Sequence, residues 1–455
     1  MTQLNMKSSD YINSISKEYA LYVGEHRAIP KASDGLKDGQ RKALYLLSSK
    51  SDKIKTISLA GEMISSNLYL HGDAAAADSI SRLAAPFLNN IPLISGIGTF
   101  GTLVDPTGIS APRYTYVKRT QVTQRLMYPD SNIVPMKDNY DGSRQEPVTF
   151  LPIVPVVLLN GINGIAVGYS TEILPHTLSD VIDCTLKVLD GKGFKDMTPN
   201  YEYLDCEVEN EGDGKWTFYG KFKELDTSTL HVESLPPDLP LEKFREHLDT
   251  LIEKGTINDY TDNTSEKVDI DIKFKRGTLV NYNKLKLRKL LKIHTKKTER
   301  LVVLDFDGKS IRTFDDHKSL IQAFVDFRFT FYIKRYQEMK RQAEYNLRYQ
   351  NAIKKCFDTK MPNQILSKKT RAEVIQLVSD TTKTEGVDQD QINSIAGLPS
   401  YSWSNEYYHT CLQKIKDLKT QIKEYDNLLN NHDLIKDIYK EELKDLKKLK
   451  YKREV

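Results

Sequence analysis

Residues 69–87 read YLHGDAAAADSISRLAAPF. Together with the run before them they predict two helices, 56–69 and 72–87, joined by the short break Leu70-His71-Gly72 in helix-turn-helix fashion. The second helix is rich in alanine. Its surface can therefore come close to a duplex in the major groove or pack tightly on another helix. His71 lies at the junction, where a lone histidine serves a structural role as readily as a binding one. Upstream, residues 25–47 read EHRAIPKASDGLKDGQRKALYLL. Pro30 and the Asp34-Gly35 turn stop one helix, and 39–47 starts another. Arg27, Lys37, Arg41 and Lys42 cluster around that turn and helix start, a place suited to phosphates because backbone N–H groups there lack partners, although basic residues flanking a turn are more often simply solvated. Before it, Ile12, Ile15, Tyr19 and Val23 keep helical spacing, which predicts an amphipathic arm that packs on a domain or on a second copy.

Downstream, residues 93–105 read LISGIGTFGTLVD, and 111–119 read APRYTYVKR. Gly96, Gly98 and Gly101 do not have the spacing of a dinucleotide fingerprint, and Pro106 precludes the helix such a motif needs. The stretch is expected to be a loop leading to a strand that bears Tyr114. Arg113, Lys118, Arg119 and Arg125 fall between Asp105 and Asp130 with no acid among them. Tyr114 is thus a phenol in a cationic segment. A free phenol titrates near 10, and a neighbouring guanidinium favours phenolate. The residues alone leave two readings open: a tyrosine that attacks phosphorus, or a basic strand with alternating Tyr114 and Tyr116.

At 455 residues the chain has length for roughly three domains of about 150 residues. Its 66 Lys and Arg face 62 Asp and Glu for a net charge of +4, so any nucleic-acid surface must come from local clustering. Cys184, Cys206, Cys356 and Cys411 are too far apart for zinc spacing and read as reduced packing cysteines of a cytosolic protein. No apolar run is long enough to cross a bilayer. Residues 182–304 alternate β-rich runs with one helix, 241–254. Asp269 and Asp271, and Asp305 and Asp307, have D-x-D spacing, which in a strand or a hairpin turn reads as structural. Two long helices are predicted, 316–357 and 404–451. Ile415, Leu418, Ile422, Tyr425 and Leu429 form a coiled-coil seam on the second, and a compact helical knob lies between them.

Five stretches, DGLKDGQRKAL (34–44), 69–87, GIGTFG (96–101), APRYTYVKR and LLNGINGIAVGYSTEILPHTL (158–178), occur in one order and spacing. In this the chain resembles the DNA-cleaving subunits of type IIA topoisomerases, the group that includes the gyrase A protein, most closely the medium subunits of T-even-like phages. The resemblance implies an α+β multidomain chain. Its expected parts are an N-terminal arm (1–26), a winged-helix DNA-binding domain with the catalytic tyrosine (27–150), an α/β tower (151–315) and a coiled-coil stalk (316–455) with a dimerisation knob (about 358–403). It implies that Tyr114 forms a 5′-phosphotyrosyl link, that Arg113 and Arg41 stabilise charge on the phosphate, and that His71 donates to a non-bridging oxygen. Arg27, Lys37, Lys42 and Lys118 would hold DNA, and Ile165 would wedge between base pairs.

The chain departs from the family pattern at Ile97 and Thr99 in the glycine-rich loop, at Asp38 in place of a proline, and at Tyr69 in place of a second histidine. At the drug-pocket positions it has Ala74 and Asp78, which implies a weak quinolone response. No ATPase signature or acidic metal cluster is evident. Mg²⁺ and ATP are therefore expected on a large partner subunit, with double-stranded DNA as substrate, a homodimer as the working form, and the (host) cytoplasm as location. Because the sequence stops after the coiled coil, relaxation and decatenation are expected rather than negative supercoiling. A different class also fits the residues: a non-catalytic winged-helix protein that bends DNA.

Overall fold

The computed structural model describes residues 22–449 apart from 309, 366 and 369, so the expected arm lies outside the described residues as far as 21. The chain divides into two units, 1–328 with 440–455, and 329–439.

In the first unit, Asp34 organises the turn that starts the leading helix. Its Oδ1 accepts the Leu36 N–H at 3.1 Å and its Oδ2 the Phe150 N–H at 3.0 Å. Gly35 has φ 69°, and a Cβ there would lie 2.4 Å from the Val157 nitrogen, so only glycine allows this approach. Helix α1 (Asp38–Ser48) follows, its entry closed by Gln40 Oε1 accepting the Lys37 N–H at 3.0 Å. The predicted helix pair is present as α2 (Thr56–Ser65) and α3 (Asp73–Ala84), each shorter than expected. On α3 the alanines divide: Ala76 and Ala77 are buried with Ile80 and Leu83, while Ala74 and Ala75 face outward.

Strands β1 (Ile54–Lys55), β2 (Ile94–Ile97) and β3 (Tyr116–Arg119) form an antiparallel sheet in the order β1-β3-β2. The glycine-rich stretch is therefore not loop throughout. Its first half pairs with β3, and the chain turns only at Gly98, where φ is 100°. Tyr114 precedes β3 rather than riding on it. Thr120 caps α4 (Gln121–Met127), and the β4 (Met136–Asp138)–β5 (Gln145–Pro147) hairpin, α5 (Val156–Asn160), the β6 (Ile162–Ala166)–β7 (Tyr169–Ile173) hairpin and α6 (Leu178–Leu189) follow.

Just after β7, His176 is fully buried, its Nδ1 lying 3.3 Å from the Leu158 carbonyl and its ring 4.7 Å from that of His317. Burial, and then the neighbouring His317, pull its pKa down to about 4. The folded chain thus keeps it neutral. In the window between about 4 and the unfolded value of 6.5 the unfolded chain binds the extra proton, so stability is lost as pH falls. From this group the unfolding free energy in urea should drop by on the order of 2–3 kcal/mol between neutral pH and the bottom of that window. His176→Asn should remove that share of the pH dependence. An undiminished dependence in the variant would contradict the assignment.

The α/β portion contains two sheets, β8 (Glu207–Gly212) with β9 (Lys215–Tyr219) and β14 (His294–Thr298), and β10 (Phe222–Glu224), β11 (Thr229–Val232), β12 (Asp259–Asp262) and β13 (Ile270–Lys273) in the order β10-β11-β13-β12. Leu230, Val232, Ile270 and Ile272 of the second sheet pack with Phe244, Leu248 and Leu251 of α7 (Leu241–Glu253) and Leu287 of α8 (Lys284–Leu290). The one predicted helix is joined here by α6 and α8. In KLKLRKL the lysines hide the helical period, and Asn283 starts the helix by accepting the Lys286 N–H at 2.8 Å. The β15 (Leu301–Leu304)–β16 (Ile311–Phe314) hairpin closes through Asp307, which accepts from the Ser310 N–H and hydroxyl as its turn reading predicts.

Helix α9 (His317–Asp358) runs from the first unit into the second. The second unit continues with α10 (Met361–Ile365), α11 (Arg371–Thr382), α12 (Gln389–Ala396) and α13 (Asn405–Asn430) around a core of Ile353, Cys356, Met361, Val378, Ile395 and Cys411. Of the seam residues Ile415 is buried and the other four half-buried. The second long helix is broken where it was expected to be continuous. Asn431 leaves the helical region at φ −130° and ψ 89°, and its side chain accepts the Asp433 N–H at 3.2 Å to start α14 (His432–Lys448). All four cysteines are free thiols. Among the described residues no helix is long and apolar enough to cross a membrane.

Candidate active site

Tyr114 occupies a turn closed by its own N–H donating to the Ala111 carbonyl at 2.9 Å. The turn is anchored on both sides. Ile57 N–H donates to Pro112 O at 3.1 Å, Thr56 N–H to Thr115 O at 3.0 Å, and the Thr115 and Thr56 hydroxyls bond at 2.8 Å. The start of α2 therefore fixes the backbone on either side of a phenol that remains 68% exposed. The Arg113 guanidinium lies 4.9 Å from the Tyr114 ring centre. Tyr116, by contrast, is half-buried inside β3, paired with Lys55 and Ile97. The two tyrosines, expected on one strand face, have different seats.

A groove of about 700 Å³ is lined by Arg27, Lys37, His71, Asp78, Arg82 and Lys297, among others. It gathers the start of α1, the α2–α3 junction, α3, the β6–β7 hairpin and β14. Lys37 Nζ donates to the Asn163 carbonyl of that hairpin at 2.7 Å, and burial, with Arg82 beside it, lowers its pKa. His71 meets Tyr69 edge to face at 5.0 Å. Asp78 holds Arg82 at 2.8 Å, and Lys297 bridges Glu172 at 3.0 Å and Asp238 at 2.6 Å. The groove thus brings together Arg27, Lys37, His71 and Asp78 as expected residues. Neither Arg113 nor Tyr114 is in its lining, and Ala74 is exposed on α3 outside it.

Arg41, expected at the phosphate, is 2% exposed and forks onto Asp34 at 2.6 and 2.9 Å, with a third bond to Leu36 O at 2.8 Å. Lys42 is held by Asp38 at 2.9 Å and Glu146 at 3.4 Å. Arg41 is thus paired within the turn that begins α1, and Lys42 with the first residue of α1 and with β5. Lys118 sits half-buried on β3 opposite Ser95. Ile165 is 87% exposed near the end of β6, beside the Val167-Gly168 turn.

Sequence reading missed Arg82, Asn163 and Lys297. Arg82 was accessible, since it stands one helical turn after Asp78; Lys297 was not, because its partners are distant in sequence. His231, Asp269 and Asp271 are the group among the described residues with metal-ligand chemistry at close range, joined by a His231–Asp271 contact of 2.7 Å between β11 and β13. They do not line the groove.

Residues 27–444 match the family of the DNA gyrase and topoisomerase IV A subunits. The DNA topoisomerase medium subunit of Enterobacteria phage T4 is 31% identical over 394 residues, 83% of this chain and 86% of that protein. DNA topoisomerase 2 of Bombyx mori is 30% identical over 82% of this chain, and DNA topoisomerase 2-alpha of Cricetulus griseus 30% over 71%, although the chain spans only 25% and 22% of their lengths. The DNA-binding, cleavage and re-ligation domain of Plasmodium falciparum topoisomerase II has the same fold, with a TM-score of 0.84 at 23% identity over 96% of this chain and 64% of that one. With a match running across nearly all of its described length, this chain belongs to the family of DNA gyrase and topoisomerase IV A subunits.

Proposed function

We propose that this chain is the DNA-cleavage and rejoining subunit of an ATP-dependent type II DNA topoisomerase, working as a homodimer with a large partner subunit. The observation that carries the reading is the seat of Tyr114: an exposed phenol under a guanidinium, on a backbone anchored at both sides. In this reading the phenol oxygen bonds to phosphorus and loses its proton, while the bond to the 3′ oxygen breaks and that oxygen gains one. The 5′ end is left on Tyr114. One phosphodiester replaces another, so the reverse step reseals the strand without a nucleotide-driven ligation. Arg113 steadies the charge that develops on the phosphate oxygens.

Arg27, Lys37 and His71 supply the donors of the groove. Because Tyr114 is outside that lining, the tyrosine of one copy is read as working against the groove of the second. Helices α1–α3 with the β1-β3-β2 sheet are read as the winged-helix domain, the α/β portion as the tower, and the second unit as a stalk ending in a dimer gate. The groove carboxylates Asp78, Glu172 and Asp238 are each held by a cation, which offers no open acidic set; Mg²⁺ and ATP are assigned to the partner. The test is to mix the chain with its partner and duplex DNA, quench with denaturant, and look for protein on 5′ ends. Absence of any adduct under all metal conditions sinks the reading.

Ile165 is read as the wedge that unstacks a base step and bends the duplex, at a cost of a few kcal/mol offset by added contacts. Ile165→Ala should reduce the bend, seen as lower energy transfer between dyes at the two duplex ends, and weaken binding by about 1–3 kcal/mol. An unaltered bend would remove Ile165 from that role.

A further inference from the structure

We infer that one face of the β1-β3-β2 sheet is a phosphodiester-holding platform beside Tyr114, in which Lys53 and Lys55 are gathered over the Tyr116 ring and join Lys118; this rests on the reading of Tyr114 as the residue that attacks DNA. Cross-strand partners and residues two apart share a sheet face. Lys55 pairs with Tyr116, and Lys118 lies two residues beyond it, so all three project from one side. Lys53 reaches the same side: its ammonium is 5.2 Å from the Tyr116 ring centre, and that of Lys55 is 6.0 Å. The opposite side is core, with Val117 and Thr115 buried.

These ammonium groups differ from their neighbours. Lys42 is held by Asp38 and Glu146, and Lys50 by Glu62. Among the described residues, Lys53, Lys55 and Lys118 have no carboxylate within salt-bridge range. Three unneutralised cations on one face call for a polyanion. The aromatic ring beneath two of them attracts the ammonium groups and favours their staying in place. The platform begins two residues after Tyr114, so a strand whose phosphorus is joined to that phenol has its next phosphates within reach. Tyr116 thereby acquires a role that is not nucleophilic: it is the ring that collects the lysines.

The test uses the full chain and a short fluorescent duplex, with affinity measured over a series of salt concentrations. Each lost phosphate contact flattens the slope of log affinity against log salt by about 0.9. The Lys53→Ala/Lys55→Ala double variant is expected to flatten it by roughly 2 and to weaken binding about tenfold or more near 0.1 M salt. The Lys53→Arg/Lys55→Arg variant keeps the slope, and so does Lys416→Ala/Lys419→Ala, two exposed lysines of α13. If the double-alanine variant keeps the wild-type slope, or the α13 control loses as much, the platform is overturned while the proposed function stands. If the wild-type chain shows no salt-dependent duplex binding, both are overturned.

Discussion

Tyr114→Phe is expected to abolish the denaturant-trapped protein–DNA adduct, by at least about 10³-fold, while duplex binding changes by no more than about twofold. The substitution removes one oxygen, the atom proposed to bond to phosphorus, and leaves a ring of the same shape under Arg113. Because the side chain is 68% exposed, no packing is disturbed and stability should move by less than about 0.5 kcal/mol. Tyr116→Phe is the matched comparison: it should still form adduct, since its phenol is held within the sheet among Lys55 and Ile97. Adduct formation by Tyr114→Phe, or its loss in Tyr116→Phe alone, would move the nucleophile to another residue.

The second large effect is expected at Arg41, as a loss of stability rather than of chemistry alone. Its guanidinium is buried against Asp34 in a two-pronged pair, and Asp34 in turn accepts the Leu36 and Phe150 N–H groups. Burial alone would lower the guanidinium pKa, but the charge and hydrogen bonds of Asp34 outweigh it and raise it. Removing one partner of such a pair leaves the other charged and buried, which costs about 3–5 kcal/mol. Arg41→Ala should therefore lower the melting temperature by roughly 10 °C. Arg41→Lys should recover only part of this, because a single ammonium cannot reproduce the fork. If Arg41→Ala melted like the wild type yet lost cleavage, the residue would belong to the phosphate site after all.

These two residues mark where sequence reading succeeds and where it stops. The α2–α3 pair, α7 and the Asp307-Gly308 hairpin were legible because helical period, cap and turn chemistry are local. Helix α8 was hidden by a run of lysines, and the break at Asn431 by an unbroken apolar seam on either side of it. That Arg41 and Lys42 are cations at a helix start is local information, whereas Asp34 and Glu146 as their partners are settled by folding. Lys53 and Lys55 went unnoticed for the converse reason. Nothing in the sequence brings them to Tyr116; the pairing of β1 with β3 does.

By itself the sequence determined the elements whose period and caps are local, the α2–α3 pair and α7 among them, and, through five ordered motifs, the family to which the chain belongs, because both are written in spacing along the chain. Tertiary structure alone decided which of the cations remain open to a polyanion, that Ile165 stands in solvent, and that Tyr114 sits on an anchored turn apart from Tyr116. Each of those properties depends on which distant side chains and backbone groups come within a few ångströms, and burial and ion pairing act only over that range.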